Sequence, residues 1–260
     1  DFIDNGSLDY EYAIGTGSGS SSSNSGDNYS LSFDGTSYVA ISNNNINGTF
    51  DEFSFSAWVN VEDFGDDYDN EYIFDVGRND EAQRIAVGVN QDGFTGFMNG
   101  VGNNVFDVNA SFANEQEWVY ISLVWSGYDY ARLYINGELS GETNSISNPV
   151  LTINQEDPFF FGARYNSSSL FKGLLDDVSI WDIALTESQI NEHMVDGINT
   201  DQGLVGRWNF NSGSGDFLYD QSGNENHGII SGATWSTDVP EILVSATNDN
   251  ILSWTSNSRN

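Results

Sequence analysis

Residues 53–61 read Phe-Ser-Phe-Ser-Ala-Trp-Val-Asn-Val, which puts Phe53, Phe55, Ala57, Val59 and Val61 on one side of an extended chain and Ser54, Ser56, Trp58 and Asn60 on the other. Successive side chains of a strand point to opposite faces, so this period of two predicts a β-strand packed on a core by one face. The pattern recurs outward in both directions. Leu31/Phe33 and Val39/Ile41 precede it; Ile85/Val87/Val89, Val119/Ile121/Leu123/Trp125, Leu133/Ile135, Phe159/Phe161/Ala163, Val178/Ile180 and Leu204/Trp208/Phe210 follow it. Turn-rich segments lie between these runs. Asn136-Gly137 has the composition of a type I′ hairpin turn, whose two central residues both need positive φ.

One helix signal stands among the strands. Thr186 and Gln189 have the spacing of a capping box, Ile190 begins a run to Met194, and Gly197 is the stop. With 27 glycines and many short strands, the chain reads as all-β: a two-sheet antiparallel jelly-roll sandwich with one short helix. Residues 1–28 form an N-terminal segment with a Gly/Ser-rich linker at 15–26 and a short strand pattern at 8–14. Residues 29–235 form the jelly roll, and residues 236–260 are a strap or the start of a following module, with Ile242/Val244 renewing the alternation.

Composition narrows the class. The 260 residues carry 39 Asp plus Glu against 7 Lys plus Arg, a formal net charge of −32, yet 38% are hydrophobic and 14% aromatic. That apolar content excludes a disordered acidic tail, and a chain of this size buries roughly 75% of its unfolded surface. The absence of cysteine excludes disulfide scaffolds, thiolate metal sites and cysteine nucleophiles. Nothing approaches the ~18 consecutive apolar residues of a membrane-spanning helix. So negative a field repels nucleic acid and anionic lipid and favours divalent cations. Scarce lysine with abundant Asp and Asn suits salty water, where charges are screened within about 8 Å or less. A secreted or cell-surface, extracellular and marine setting is expected.

Five segments, in order, carry a family resemblance: YSLSFDGTSYVAI at 29–41, FSFSAWVNV at 53–61, EWVYISLVW at 117–125 with RLYINGEL at 132–139, FKGLLDDVSIWDIALTESQI at 171–190, and GLVGRWNFNSGSGDFLYDQSGNENHGIISGATW at 203–235. The ordered set resembles the laminin-G-like branch of the concanavalin A-like lectin and glucanase jelly rolls. The resemblance implies two curved antiparallel sheets, frequent structural calcium, and glycan or protein binding outside catalysis.

By that resemblance, a Ca2+ ion is expected between the FDG and LLDD segments, with Asp34 and Asp176 as ligands and Asp177 as second choice. The loop at 220–228 packs Asp220, Asn224 and Asn226 among glycines, as either a cation loop or a turn in which Asp220 and Asn224 cap backbone amides. The acidic stretch 63–71 begins with EF-hand-like alternation, but Tyr72 stands where that loop needs glycine, so it reads as a solvated loop. His193 and His227 show no paired metal spacing.

Catalysis is not expected. The related glucanases' Glu-x-Asp-x-x-Glu strand motif is missing, Glu115 and Glu117 sit in solvated sequence, and no serine lies in a Gly-x-Ser-x-Gly context. Sugar sites combine aromatic platforms with polar side chains. Strand parity turns Arg84, Arg132, Tyr134, Arg164 and Arg207 away from the core, either to line a ligand face or to pair with surplus acids. Trp58 lies on an otherwise polar face, either as a stacking platform or packed under a loop. Tyr128, Tyr130 and Tyr165 are loop aromatics of the same kind, while Trp118, Trp125, Trp181 and Trp208 read as core. The candidate carbohydrate contacts are therefore Trp58, Arg84, Tyr128, Tyr130, Arg132, Tyr134, Arg164 and Tyr165. The function expected is a non-catalytic, calcium-stabilised carbohydrate-binding or adhesive module of a multidomain protein, for neutral glycans or acidic ones bridged by calcium. The alternative is a protein–protein or structural module of a surface adhesin or filament, binding other surface proteins.

Overall fold

The structure is a computed structural model that describes residues 28–41, 45–62, 64, 70–77, 83–100, 103–111, 115–147, 149–164 and 167–241. The strand pattern at 8–14, the linker at 15–26, most of the acidic stretch 63–71, Tyr165 and the alternation after 241 lie outside the described residues.

Two eight-stranded antiparallel sheets face each other. Sheet A contains β1 (Ser30–Asp34), β4 (Glu52–Val61), β9 (Trp118–Ser126), β10 (Tyr130–Ile135), β11 (Glu138–Thr143), β14 (Lys172–Trp181), β15 (Leu204–Trp208) and β18 (Thr234–Ser236). Its order is β11-β10-β9-β4-β14-β1-β18, with β15 also pairing to β14. Sheet B contains β2 (Tyr38–Ile41), β5 (Glu71–Gly77), β6 (Arg84–Asn90), β7 (Gly93–Gly100), β8 (Asn103–Ala110), β13 (Phe159–Phe161), β16 (Phe217–Leu218) and β17 (Gly228–Ser231), ordered β16-β17-β2-β13-β5-β6-β7-β8. A small ribbon pairs β3 (Gly48–Phe50) with β12 (Leu151–Ile153).

The inward rows are those that the alternation predicts. Phe53, Phe55, Ala57, Val59 and Val61 are fully buried, as are Leu31, Val39, Ile85, Val87, Phe161, Val178 and Ile180. Phe74 sits at the centre of an aromatic cluster, with ring centroids 4.7 Å from Phe55, 6.0 Å from Phe53 and 5.6 Å from Phe159. Trp208 closes the cluster 4.9 Å from Phe161 and donates its Nε1–H to the Asn226 carbonyl. Strand β7 escaped the alternation because its glycines serve packing: a Cβ on Gly96 would stand 2.6 Å from Leu123 Cδ1 of the facing sheet.

The single described helix, α1 (Glu187–Asp196), is capped as expected. Thr186 Oγ1 accepts from the Gln189 amide, and the Gln189 side chain accepts from the Thr186 amide. Gly197 ends it at φ 74°. The hairpin turn at Asn136 and Gly137 has φ 52° and 80°, as a type I′ turn requires. Helix α1 lies on the outer face of sheet A through Ile190 and His193, with the His193 ring stacked 5.0 Å from Trp181.

Candidate functional site

Sheet A turns Trp58 and Trp118 outward from adjacent strands, where Asn60 of β4 is paired with Trp118 of β9. Both indoles are half-buried, and Trp58 rests edge-on against Tyr120 at 5.3 Å. Together with Asn136, Met194, Val195, Asp238, Val239 and Glu241 they line a cleft of about 560 Å³. Helix α1 forms one apolar wall through Met194 and Val195, while the polar wall comes from the hairpin and the chain after β18. Trp118 donates its Nε1–H to Asp238 Oδ1 at 2.8 Å, which fixes one ring in place. Trp118 is therefore a cleft residue and not a core one: it stands on the outward row of β9, while Val119, Ile121, Leu123 and Trp125 fill the inward row. Trp125, Trp181 and Trp208 are buried as expected.

The outward cations divide into two kinds. Arg132 is half-buried, donates to Glu142, and lays its guanidinium 3.8 Å from the centroid of the Tyr130 ring. Tyr128 stands in the next turn, 73% exposed. Arg84 is outward by parity, yet it is 2% exposed: its Nε donates to Asp75 at 2.9 Å, and the guanidinium lies 4.8 Å from both the Tyr72 and Phe97 rings. The reading of Arg84 as an open ligand contact is corrected by this burial. Arg164 is half-buried, 5.9 Å from the Tyr72 ring. Tyr134 is also corrected: it points outward from sheet A but is covered at 3% exposure in the cluster beneath α1. Trp58, Tyr128, Tyr130 and Arg132 thus remain reachable, and they do not form one site with Arg84 or Arg164, which belong to sheet B and its neighbouring loop.

The residues expected to hold calcium do not form a ligand set. Asp34 is paired with Lys172 across β1 and β14, whereas Asp176 lies opposite Trp58, four residues farther along β14 and roughly 13 Å away at a strand's rise. Asp34 is a turn cap: its Oδ1 accepts from the Thr36 amide at 2.9 Å and the Thr36 hydroxyl at 2.8 Å, and these bonds hold its carboxylate below the usual range. Asp220 is saturated by donors, its two oxygens accepting from the amides of Arg207, Ser222 and Asn226 and from the Ser222 hydroxyl. Asn226 accepts from the Asn45 amide and donates to the Val205 carbonyl; Asn224 donates to the carbonyls of Leu204 and Val205. In the 220–228 loop Asp220 thus caps backbone amides, as the turn alternative requires. Among the described residues, no three Asp, Glu or His side chains come together as a metal cluster.

Asp176 is 1% exposed, its only charged neighbour on its own strand is Asp177, and burial followed by that like charge pushes its pKa to about 8. A carboxyl protonated near neutrality suits a general acid. This one is buried opposite Trp58 and is not among the residues that line the cleft. Asp238 and Glu241, which do line the cleft, are exposed.

No helix among the described residues is long and apolar enough to cross a membrane. Among curated protein sequences no match is found. Several solved structures share the fold. A protein of Bacteroides ovatus ATCC 8483, provisionally described as carbohydrate binding, superposes with a TM-score of 0.60 at 20% identity over 80% of this chain, which spans only 59% of that protein. The native heptameric SAP-like pentraxin of Limulus polyphemus superposes with a TM-score of 0.56 at 17% identity, over 79% of this chain and 95% of that one. Domain 4 of AbnA, a GH43 extracellular arabinanase of Geobacillus stearothermophilus solved with arabinotriose, gives 0.51 at 19% identity, over 63% and 75%. A laminin G family profile matches residues 33–191, more than half of the chain, and with both sheets and the capped helix in place the chain belongs to the concanavalin A-like lectin/glucanases superfamily.

Proposed function

We propose that this chain is a non-catalytic carbohydrate-binding module, secreted or displayed at a cell surface, and that the Trp58–Trp118 cleft takes the glycan. The observation that carries the reading is the lining of that cleft: two indoles beside Asn136, Asp238 and Glu241 in about 560 Å³. Sugars offer C–H faces to aromatic rings and hydroxyls to amides and carboxylates, so this mixture matches a pyranose or furanose chemically. Two of the superposed structures support the ligand class, one being described as carbohydrate binding and the other solved with arabinotriose. The net charge of −32 favours a neutral glycan.

The test is titration calorimetry of the whole chain against neutral oligosaccharides, arabinotriose included, with calcium and with chelator. Binding weakened at least tenfold by Trp58→Ala or Trp118→Ala, with the melting temperature preserved, supports the cleft. Undiminished binding in both variants refutes it. Release of reducing ends from any bound polysaccharide would refute the non-catalytic reading.

A further inference from the structure

Three of the large apolar side chains that the described structure leaves exposed gather on one spot of sheet B. Phe217 is 54% exposed, Tyr219 53% and Ile229 46%. Phe217 and Ile229 are directly paired across β16 and β17, and the Phe217 and Tyr219 rings lie 6.4 Å apart with planes only 29° from parallel. His227 meets Tyr219 edge-on at 5.6 Å. The same cross-strand row continues inward from Ile229 through Ala40 to Phe160, whose ring contacts Tyr38 at 5.5 Å. The face opposite these residues is the core, where Leu218, Ile230, Val39 and Phe161 are buried.

The chain holds this surface in place. Tyr219 and His227 flank the 220–228 loop, whose Asp220 accepts four hydrogen bonds and whose Asn226 carbonyl receives the buried Trp208 indole. The Asp220 amide donates to His227 Nδ1 at 3.1 Å. A neutral imidazole accepting at Nδ1 carries its proton on Nε2, so an exposed N–H donor stands at the rim of the aromatic pair. Side-by-side rings on a rigid frame, with a donor at the edge, lose little conformational entropy on contact.

We propose that Phe217, Tyr219, Ile229 and His227 form a second glycan platform, separate from the cleft, on which a neutral polysaccharide chain stacks by its C–H faces and gives a hydroxyl oxygen to His227 Nε2–H. This rests on the carbohydrate-binding reading for its ligand class. A protein partner fits less well: the spot exposes three large apolar side chains, far short of the ~20–30 residues a side in a stable protein interface. Anionic chains are disfavoured by the charge of −32. A platform of this kind contacts a polymer at a second point, and two linked contacts raise overall affinity well beyond either alone.

The experiment is affinity electrophoresis of the whole chain through gels containing arabinan, β-1,3-glucan, xyloglucan or galactomannan. It compares the native protein with the F217A/Y219A double variant and with Trp58→Ala, each checked by its melting temperature. Retardation by one polysaccharide that falls at least fivefold in F217A/Y219A, and persists in part in Trp58→Ala, supports the platform. Retardation unchanged in F217A/Y219A but lost in Trp58→Ala overturns the platform and leaves the cleft standing. Retardation by none of the four overturns both.

Discussion

Strand β14 serves two layers at once, and its two rows of side chains follow different rules. Inward, Leu175, Val178 and Ile180 are fully buried in the aromatic space between the sheets. Outward, Asp176, Ser179 and Trp181 are equally buried, Trp181 against His193 of helix α1. This outer layer mixes the apolar cluster under α1 with polar groups: Ser56 and Ser122 share a 2.7 Å hydrogen bond, Ser54 bridges the Ile183 carbonyl and the Leu185 amide, and Asp177 faces Arg207. Trp181 Nε1, His193 Nδ1 and Arg207 Nε are buried there without a hydrogen-bond partner among the described residues. A buried polar group left unpaired costs about 1–3 kcal/mol. The layer under the helix therefore combines apolar burial, through Val124, Trp181, Leu185 and Ile190, with polar groups that offset part of it, whereas the inter-sheet space is apolar throughout. Asp177 makes the transition, its φ of 44° forming a bulge that slips the β4–β14 register between Asp176 and Ser179.

The sharpest way to break this contrast is Phe74→Ala, which removes the ring at the centre of the inter-sheet cluster and should cost about 3–5 kcal/mol in denaturant unfolding. The outer layer should respond with the opposite sign. The Asp176 pKa is raised from 3.8 to about 8, so the stability present below pH 3.8 is lost as pH rises toward 8. Asp176→Asn should accordingly stabilise the protein at pH 7 by up to about 4 kcal/mol and flatten the pH dependence of unfolding between pH 4 and 8. A destabilised D176N variant would show that the carboxyl has an ionised role.

Asp220 provides an intermediate case, a nearly buried carboxylate whose acceptor capacity is fully used. Asp220→Ala should lower stability by about 3 kcal/mol, equally in calcium and in chelator, because it strands amide donors and not a cation. A loss seen only in calcium would restore the loop as a metal site. The smallest effect belongs to the cap of α1: Thr186→Ala should cost about 1 kcal/mol. If the helix is the weaker layer, hydrogen exchange in residues 187–196 should accelerate in this variant while β4 and β9 stay protected.

Regularity decided how much could be read in advance. Strands with strict alternation, such as β4 and β9, the Asn136-Gly137 turn and the Thr186 capping box are local devices, and each was found where its residues placed it. Strand β16 has only two residues, so the exposed Phe217 and Tyr219 carried no period to flag them. Parity showed that Arg84 and Tyr134 leave the core face. It did not show what lies above that face: the Asp75 carboxylate with two rings for Arg84, and the layer under α1 for Tyr134. Proximity of Asp34 to Asp176 required the β1–β14 register, which is not a local property.

Taken alone, the amino-acid order determines the two-sheet class, the capped helix, the turn and the acidic surface, because each follows from spacing within a few residues or from composition. Tertiary structure decided which outward side chains meet water, which carboxylates stand together and where the cleft opens. Those outcomes depend on strand order, register and the seat of α1, which bring together residues as distant as Trp58, Trp118 and Asp238.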